Sequence, residues 1–364
     1  MLPVICGLSI LFLIYVRYGY AWILRLLLRT KAKTATPVSC TEPGPARPYV
    51  SIVVPCFNEE MNIEKKIRNV FSVDYPKDSY EVIFVDNDST DATFSLLTEQ
   101  SKTMPMVVLK SRRRKVLALN EALRIAKGEL IVATDCDTAW ERNAIKEMSN
   151  AFSDDSVGAV CATPHIQNPI DQSKQKYHRH DWMIRSLESR LDTCSSLDGK
   201  LMAFRRSVLS RFPEDSSVDD LELTLILRSQ GQRCVALPDV HIHERSPETV
   251  RQEFSQIRRR VYTVFHCLWN HRAMIFNPAY GYFGVLILPS RRLLPLFVPP
   301  VMGIGLISAL IGWPRVTSGL IVLALVKLVH KREVFPILQF VAILIGWFDV
   351  MFVRRPGDIW CRTT

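Results

Sequence analysis

The chain has 364 residues, 48% of them hydrophobic, and a formal net charge of +10, which allows two domains, or one domain plus membrane segments. The basic surplus lies largely beside the two apolar ends, as expected for an anionic cytoplasmic leaflet, and no zinc-finger spacing supports a nucleic-acid partner, so none is expected. The nine cysteines are scattered, odd in number and contain no C-x-x-C, which argues against a disulfide framework or structural zinc and for a reducing compartment.

Leu2–Leu28 is apolar, broken by Arg17 and Arg25, and followed by Arg29, Lys31 and Lys33. It is long enough to span a bilayer, with the basic flank cytoplasmic and the N-terminus outside. A signal peptide is the competing reading, but no small-x-small cleavage site follows. Arg25 can snorkel; Arg17 faces protein or a polar passage, or reaches the interface. Thr34–Pro48, with Pro37, Pro43, Pro45 and Pro48, reads as a stiff linker.

From Tyr49 strand and helix alternate. Strands are expected at Val50–Val54, Tyr80–Val85, Met106–Leu109, Leu130–Thr134 and Val157–Ala162. Helices are expected around Ile63–Phe71, after a cap at Ser89 or Asp91, and over Val116–Ala126, which Gly128 ends. Such βα repeats predict a mainly parallel, doubly wound sheet covered on both faces. Three polar clusters then fall at strand ends: Cys56–Glu60, Asp86–Asp91 and Asp135–Asp137. In such a sheet those ends share one edge, where ligands bind. Asp135 and Asp137, one residue apart at a strand end, suit a hard divalent cation, Mg²⁺ or Mn²⁺, completed by substrate phosphates. Taken alone, a D-x-D is more often a solvated acidic turn.

Ser246–Trp269 reads as an amphipathic helix with Ser246 as N-cap and Pro247 in the first helical position. Val250, Phe254, Ile257, Val261 and Leu268 form its apolar stripe. Arg258–Arg260 either rests on lipid headgroups or serves a site. Three apolar segments close the chain: Leu293–Gly312, kinked by Pro295, Pro299 and Pro300, then Val316–Val329 and Phe335–Val353. The basic flanks Arg291–Arg292 and His330–Arg332 suit a two-span hairpin, which leaves Arg354 and Arg355 on the wrong side. The expected division is an anchor (1–29), a linker (30–48), a catalytic domain (49–245), interface helices (246–292) and membrane segments (293–364).

Four motifs in order resemble those of family 2 glycosyltransferases: VSIVVPCFNE at Val50–Glu59, DNDSTD at Asp86–Asp91, the D-x-D at Asp135–Asp137, and VDDLEL at Val218–Leu223. The resemblance implies a GT-A fold and inverting hexosyl transfer from a nucleotide sugar, with a UDP-sugar as the expected donor. The membrane segments look like those of cellulose, chitin and hyaluronan synthases, implying a plasma or inner membrane location with the catalytic domain cytoplasmic, and a glycan or lipid acceptor. Carried over residue by residue, Asp137 is the metal ligand and Asp135 contacts the donor. Pro55, Asn58, Glu59, Asp86 and Asp88 lie by the nucleotide, and Lys115 by the diphosphate. Asp220 is the base on the acceptor hydroxyl, with Asp219 beside it and Glu222 as the local rival. Diphosphate departure builds negative charge that a cation and basic groups stabilise. Gln256 and Arg259 keep two positions of the family's Q-x-x-R-W, but Arg260 stands where its tryptophan is expected. That departure argues against processive synthesis and leaves a basic pair for the diphosphate. Asp198–Arg206, DGKLMAFRR, resembles the segment under the acceptor. The alternative from another class is a non-catalytic nucleotide-sugar scaffold or translocation component.

Overall fold

In the computed structural model residues 1–30, 47–167, 172–216, 219–245, 249–313 and 335–352 are described. The chain forms two compact units: Thr34–Asn168 with Glu188–Ser246, and Met1–Lys33 with Pro169–Leu187 and Pro247–Thr364. The expected 49–245 block is thus interrupted, because residues 169–187 belong with the terminal helices.

The first unit is built on eight strands: β1 Val50–Cys56, β2 Tyr80–Asp86, β3 Met106–Lys110, β4 Leu130–Thr134, β5 Ala139–Trp140, β6 Val157–Gln167, β7 Leu201–Arg205 and β8 Arg233–Arg245. They form one sheet in the order β3-β2-β1-β4-β7-β6-β8-β5. The apolar runs that predict β1, β2 and β4 are buried on both faces: Val50, Ile52, Val53 and Val54 are fully covered, as are Ile83, Phe84, Val85 and Ala133. Each of these valine, isoleucine and phenylalanine side chains contributes roughly 1.5–3 kcal/mol by leaving water. Helices α2 (Ile63–Phe71), α3 (Thr93–Gln100) and α4 (Lys115–Ile125) connect these strands, and α5 (Ala144–Asn150) lies between β5 and β6. β1 lies between β2 and β4, parallel to both. The strand order reverses there, and the crevice at the carboxyl ends is the place where such sheets bind ligands.

The parallel pattern breaks at β7, which runs antiparallel to both β4 and β6. Leu201 pairs with Thr134, so β7 begins at the carboxyl edge of β4. Its reversed direction places the loop Asp198–Lys200 beside the end of β4. Local periodicity carries no information on this pairing, which is set by long-range register. After β7 comes α7, Asp219–Ser229.

Among the described residues of the second unit, two helices are long and apolar enough to cross a membrane: α1 (Leu2–Thr30) and α9 (Phe283–Gly312). Between them in sequence come α6 (Gln172–Leu191) and α8 (Val250–Asn270); α10 (Phe335–Phe352) follows. The helix α9 starts ten residues before the expected Leu293, so Arg291 and Arg292 lie inside it rather than ahead of it. Arg291 is ion-paired with Asp181 of α6. Of the expected prolines, Pro295 lies in a 3₁₀ turn, Leu294–Phe297, whereas Pro299 and Pro300 sit in the first turn of regular helix from Val298, where a missing N–H is tolerated; Pro289, not expected, opens a π-helical turn, Pro289–Leu293. The cap of α8 differs from expectation. Thr249, not Ser246, is the N-cap, in a reciprocal box with Gln252; the pattern T-x-x-Q satisfies two orphan N–H groups at once. Arg258 of α8 makes a bidentate pair with Asp349 of α10 at 2.5 and 2.6 Å. Most of the expected linker, and all of Val316–Val329 and Arg354–Arg355, lie outside the described residues.

Candidate active site

At the carboxyl edge of the sheet the loops after β1 and β2 are stitched together. The Asn58 amide donates to Ser89 Oγ at 3.0 Å, and Asn58 Oδ1 accepts from Thr90 N at 2.9 Å. The Glu59 amide donates to Thr93 Oγ1 at 2.8 Å, and Glu60 Oε2 accepts from Ala92 N at 3.0 Å. Asn58 and Asp88 both have positive φ, +52° and +62°. Asn and Asp tolerate that region better than other side chains do. Glu59 is buried and accepts from Asn62 Nδ2 at 2.7 Å. Pro55 and Cys56 face Val85 and Asp86 in register. Asp86 is 2% exposed, and its Oδ1 is buried with no hydrogen-bond partner among the described residues. A buried acceptor left open at a strand end is suited to an N–H or O–H of a ligand.

The end of β4 carries the D-x-D. Cys136, between the two aspartates, is buried, 4% exposed. Asp137 is exposed and Asp135 half-buried. The donor set offered to an ion is therefore carboxylate oxygen without sulfur, which fits Mg²⁺ or Mn²⁺. The turn is held by Lys200, whose carbonyl accepts from Asp135 N at 3.1 Å and Thr134 Oγ1 at 2.8 Å.

Lys115, the first residue of α4, reaches both acidic turns. Its Nζ lies 2.7 Å from Asp135 Oδ1 and 2.9 Å from Asp219 Oδ2, and it donates to Gly199 O at 3.1 Å. Burial alone would lower this ammonium, but Asp135 and Asp219 hold it above the ordinary lysine range. Gly199 leaves room for the contact: a Cβ there would lie 3.2 Å from Asp219 Oδ2 and 3.4 Å from Lys115 Nζ. Burial raises the Asp219 carboxyl, the neighbouring Asp220 and Asp135 charges add to this, and Lys115 opposes it. Asp219, Asp220 and Glu222 occupy the first turn of α7, where the helix dipole favours carboxylates. Asp220 is half-buried, and its Oδ1 accepts from Leu221 N at 2.7 Å. Glu222 is 4% exposed and accepts from Ser216 Oγ at 3.1 Å.

The Arg112–Lys115 run is thus not one solvated cluster. Arg113 lies over the Phe57 ring at 4.7 Å, and Arg114 donates to Ser216 O at 2.9 Å. Gln256, Arg259 and Arg260 are on α8, in the second unit. There Thr263 Oγ1 donates to the carbonyls of Arg259 and Arg260. A cavity of about 860 Å³ lined by Tyr75, Lys127, Leu130 and Arg205 lies at the opposite, amino edge of β4. Its Arg205 donates to the Val157 and Phe152 carbonyls, a structural use.

Sequence reasoning missed Lys66 of α2. Its side chain is 2% exposed and donates to Thr134 Oγ1 at 2.9 Å and Thr138 O at 2.7 Å. The signal was present: Lys66 falls on the Ile63–Ile67–Val70 face, where a charged residue needs a partner.

Residues 51–212 match the family model for Glycosyl transferase family 2. The probable glycosyltransferase YdaM of Bacillus subtilis (strain 168) is 25% identical over 297 residues, 73% of this chain and 70% of that protein. Beta-monoglucosyldiacylglycerol synthase of Nostoc sp. is 29% identical over 192 residues, 50% of this chain and 41% of its own. The mannosyltransferase PcManGT from Pyrobaculum calidifontis, solved with GDP-Man and Mn²⁺, superposes with a TM-score of 0.77 at 24% identity, over 96% of this chain and 100% of that one. With the sheet order described above, these likenesses identify residues 51–212 as a family 2 glycosyltransferase domain and give the first unit the GT-A fold.

Proposed function

We propose that the chain is a membrane-anchored, inverting glycosyltransferase moving a hexose from a nucleotide sugar to the hydroxyl of a lipid or glycan acceptor. The observation that carries this reading is the Lys115 bridge, which ties the D-x-D carboxylate Asp135 to Asp219, the neighbour of Asp220. One cation so shared joins a donor-side turn to an acceptor-side turn.

Asp137, with Asp135 beside it, would hold the divalent cation. When bound, that ion supplies charge stabilisation to the departing diphosphate. Asp86, Asp88, Pro55, Asn58 and Glu59 would hold the nucleoside. Lys115, Gln256, Arg259 and Arg260 would supply positive charge for the diphosphate. Asp220 takes the proton of the acceptor hydroxyl. The freed oxygen attacks C1 of the sugar, the C1–O bond to phosphate breaks, and the nucleoside diphosphate leaves from the opposite face with inversion. Asp219 is committed to Lys115 and Glu222 is buried, which leaves Asp220 the better placed of the three for this role.

The relatives bear on donor and acceptor. The Nostoc protein is named for making a glucosyldiacylglycerol, and a Staphylococcus epidermidis relative, 30% identical over 44% of this chain, for making poly-beta-1,6-N-acetyl-D-glucosamine. Arg260 in place of the family's tryptophan favours single transfer to a lipid acceptor over processive synthesis. A UDP-sugar is the first donor to test, and GDP-mannose, held by PcManGT, the second.

The helices α1 and α9 would anchor the chain in a plasma or inner membrane. The basic flank Arg29–Lys33 supports a cytoplasmic catalytic domain. Purified full-length chain given UDP- and GDP-sugars with Mn²⁺ is expected to release nucleoside diphosphate. No release from any donor, with lipid and glycan acceptors supplied, would overturn the reading. Protease protection of Thr34–Arg245 in intact cells is expected; cleavage from outside would refute the orientation.

A further inference from the structure

The D-x-D turn rests on a buried cation that the proposed chemistry does not use. Lys66 Nζ donates to Thr134 Oγ1 and to Thr138 O, the residues just before Asp135 and just after Asp137. The same ammonium lies over the Trp140 ring, 4.2 Å from its centroid. One turn further along α2, Asn69 makes a reciprocal pair with the Trp140 backbone: Nδ2 to O at 2.9 Å, and N to Oδ1 at 3.2 Å. Two side chains of one helix therefore grip residues 134, 138 and 140 from the inner side of the turn.

A lysine is an unfavourable choice for packing alone. Burying an ammonium with neutral hydrogen-bond partners costs free energy that an apolar side chain of the same length avoids. Burial lowers this ammonium to about 8, while Cys136, Asp135 and Asp137 oppose the fall. Among the described residues, both hydrogen bonds of its ammonium and the ring it stacks on belong to the stretch Thr134–Trp140. Its position is explained by what it does to that stretch.

We propose that Lys66, with Asn69, is a positioning residue of this enzyme: it fixes the ends of the Asp135–Asp137 turn so that the two carboxylates keep the spacing a divalent cation requires before the cation arrives. The inference rests on Asp137 as a cation ligand. It assigns α2 to cation affinity as well as to the core. Outer-shell partners of metal ligands act in this way, by orienting groups that they do not replace.

The test uses full-length protein in detergent, with Mn²⁺ titrated by electron paramagnetic resonance alone and with saturating UDP or GDP. Lys66→Met keeps the length and apolar stem of the side chain and removes the ammonium. It should raise the half-saturating Mn²⁺ concentration about tenfold, the low end of what outer-shell losses cost, while the melting temperature stays level or rises. Asn69→Ala removes the second grip of the same helix on the turn and should also raise half-saturation about tenfold, which decides the matter should the methionine variant not fold. A purely structural lysine would give the opposite pattern, a lower melting temperature with unchanged Mn²⁺ half-saturation in both variants, and that result would overturn the proposal. If wild-type protein binds no Mn²⁺ with either nucleotide, the cation reading of Asp137 itself fails, and the role of Lys66 with it.

Discussion

Two acidic turns meet at Lys115, and they are built differently. The turn at Asp135–Asp137 ends a buried strand, is gripped from within by Lys66 and Asn69, and leaves Asp137 exposed. The turn at Asp219–Asp220 opens a helix, has one carboxylate committed to Lys115, and leaves its neighbour half-buried, with Oδ1 accepting from the next amide. Rigid placement suits a cation ligand, whose affinity depends on fixed oxygens. A helix start beside a second carboxylate suits a proton acceptor, whose basicity depends on local charge.

If that contrast is right, variants of the two turns should fail differently. The largest effect belongs to Asp137→Ala. It should abolish transfer and metal-dependent nucleotide binding while the domain stays folded by circular dichroism; unchanged turnover would dissolve the contrast. Next, Asp220→Asn keeps the shape and removes the basic oxygen. Steady-state assays should find transfer down by about 10²–10⁴-fold, with donor affinity altered by less than about tenfold. Glu222→Gln is its control. An inactive Glu222→Gln beside a near-normal Asp220→Asn would move the base two residues along the helix.

Lys115→Met sharpens the comparison at its hinge. It strands Asp135 and Asp219 together, partly buried, without their shared cation. A loss on the order of 2 kcal/mol in denaturant unfolding is expected, discounted from the cost of fully buried pairs for partial exposure. Wild-type stability in that variant would mean the bridge is incidental.

The smallest effect concerns pH. Lys66 titrates near 8 when folded against an ordinary value of 10.5. Between those values the unfolded chain binds more protons than the folded one, so stability should rise with pH from about 8 to about 10. Below 8 both states are charged and this contribution is flat. Lys66→Met should remove the rise in urea midpoints across that window; an equal rise in the variant would assign it to other groups.

The first four strands were legible because parallel, doubly buried strands read as apolar runs with polar ends. Leu130–Thr134 has the expected bounds, and the other three run one or two residues longer. What local pattern could not carry was β7. Its five residues pair antiparallel with β4, and that direction brings Gly199 and Lys200 to the D-x-D turn. Lys115 was expected beside diphosphate because of its neighbours in sequence, yet its link to Asp219 spans more than a hundred residues. Lys66 was passed over because an apolar stripe was read for its isoleucines and not for the charge among them. The cap of α8 was misplaced by three residues because Ser246-Pro247 is a good local start, whereas Thr249 has Gln252 to close the box.

The central claim is a division of labour between the turns, and isothermal titration of the nucleotide sugar the enzyme turns over, with Mn²⁺, into Asp137→Asn and Asp220→Asn tests it most directly. Donor binding should be lost or weakened more than tenfold in Asp137→Asn and kept within tenfold in Asp220→Asn. Equal loss of donor binding in both variants, or equal retention, would contradict it.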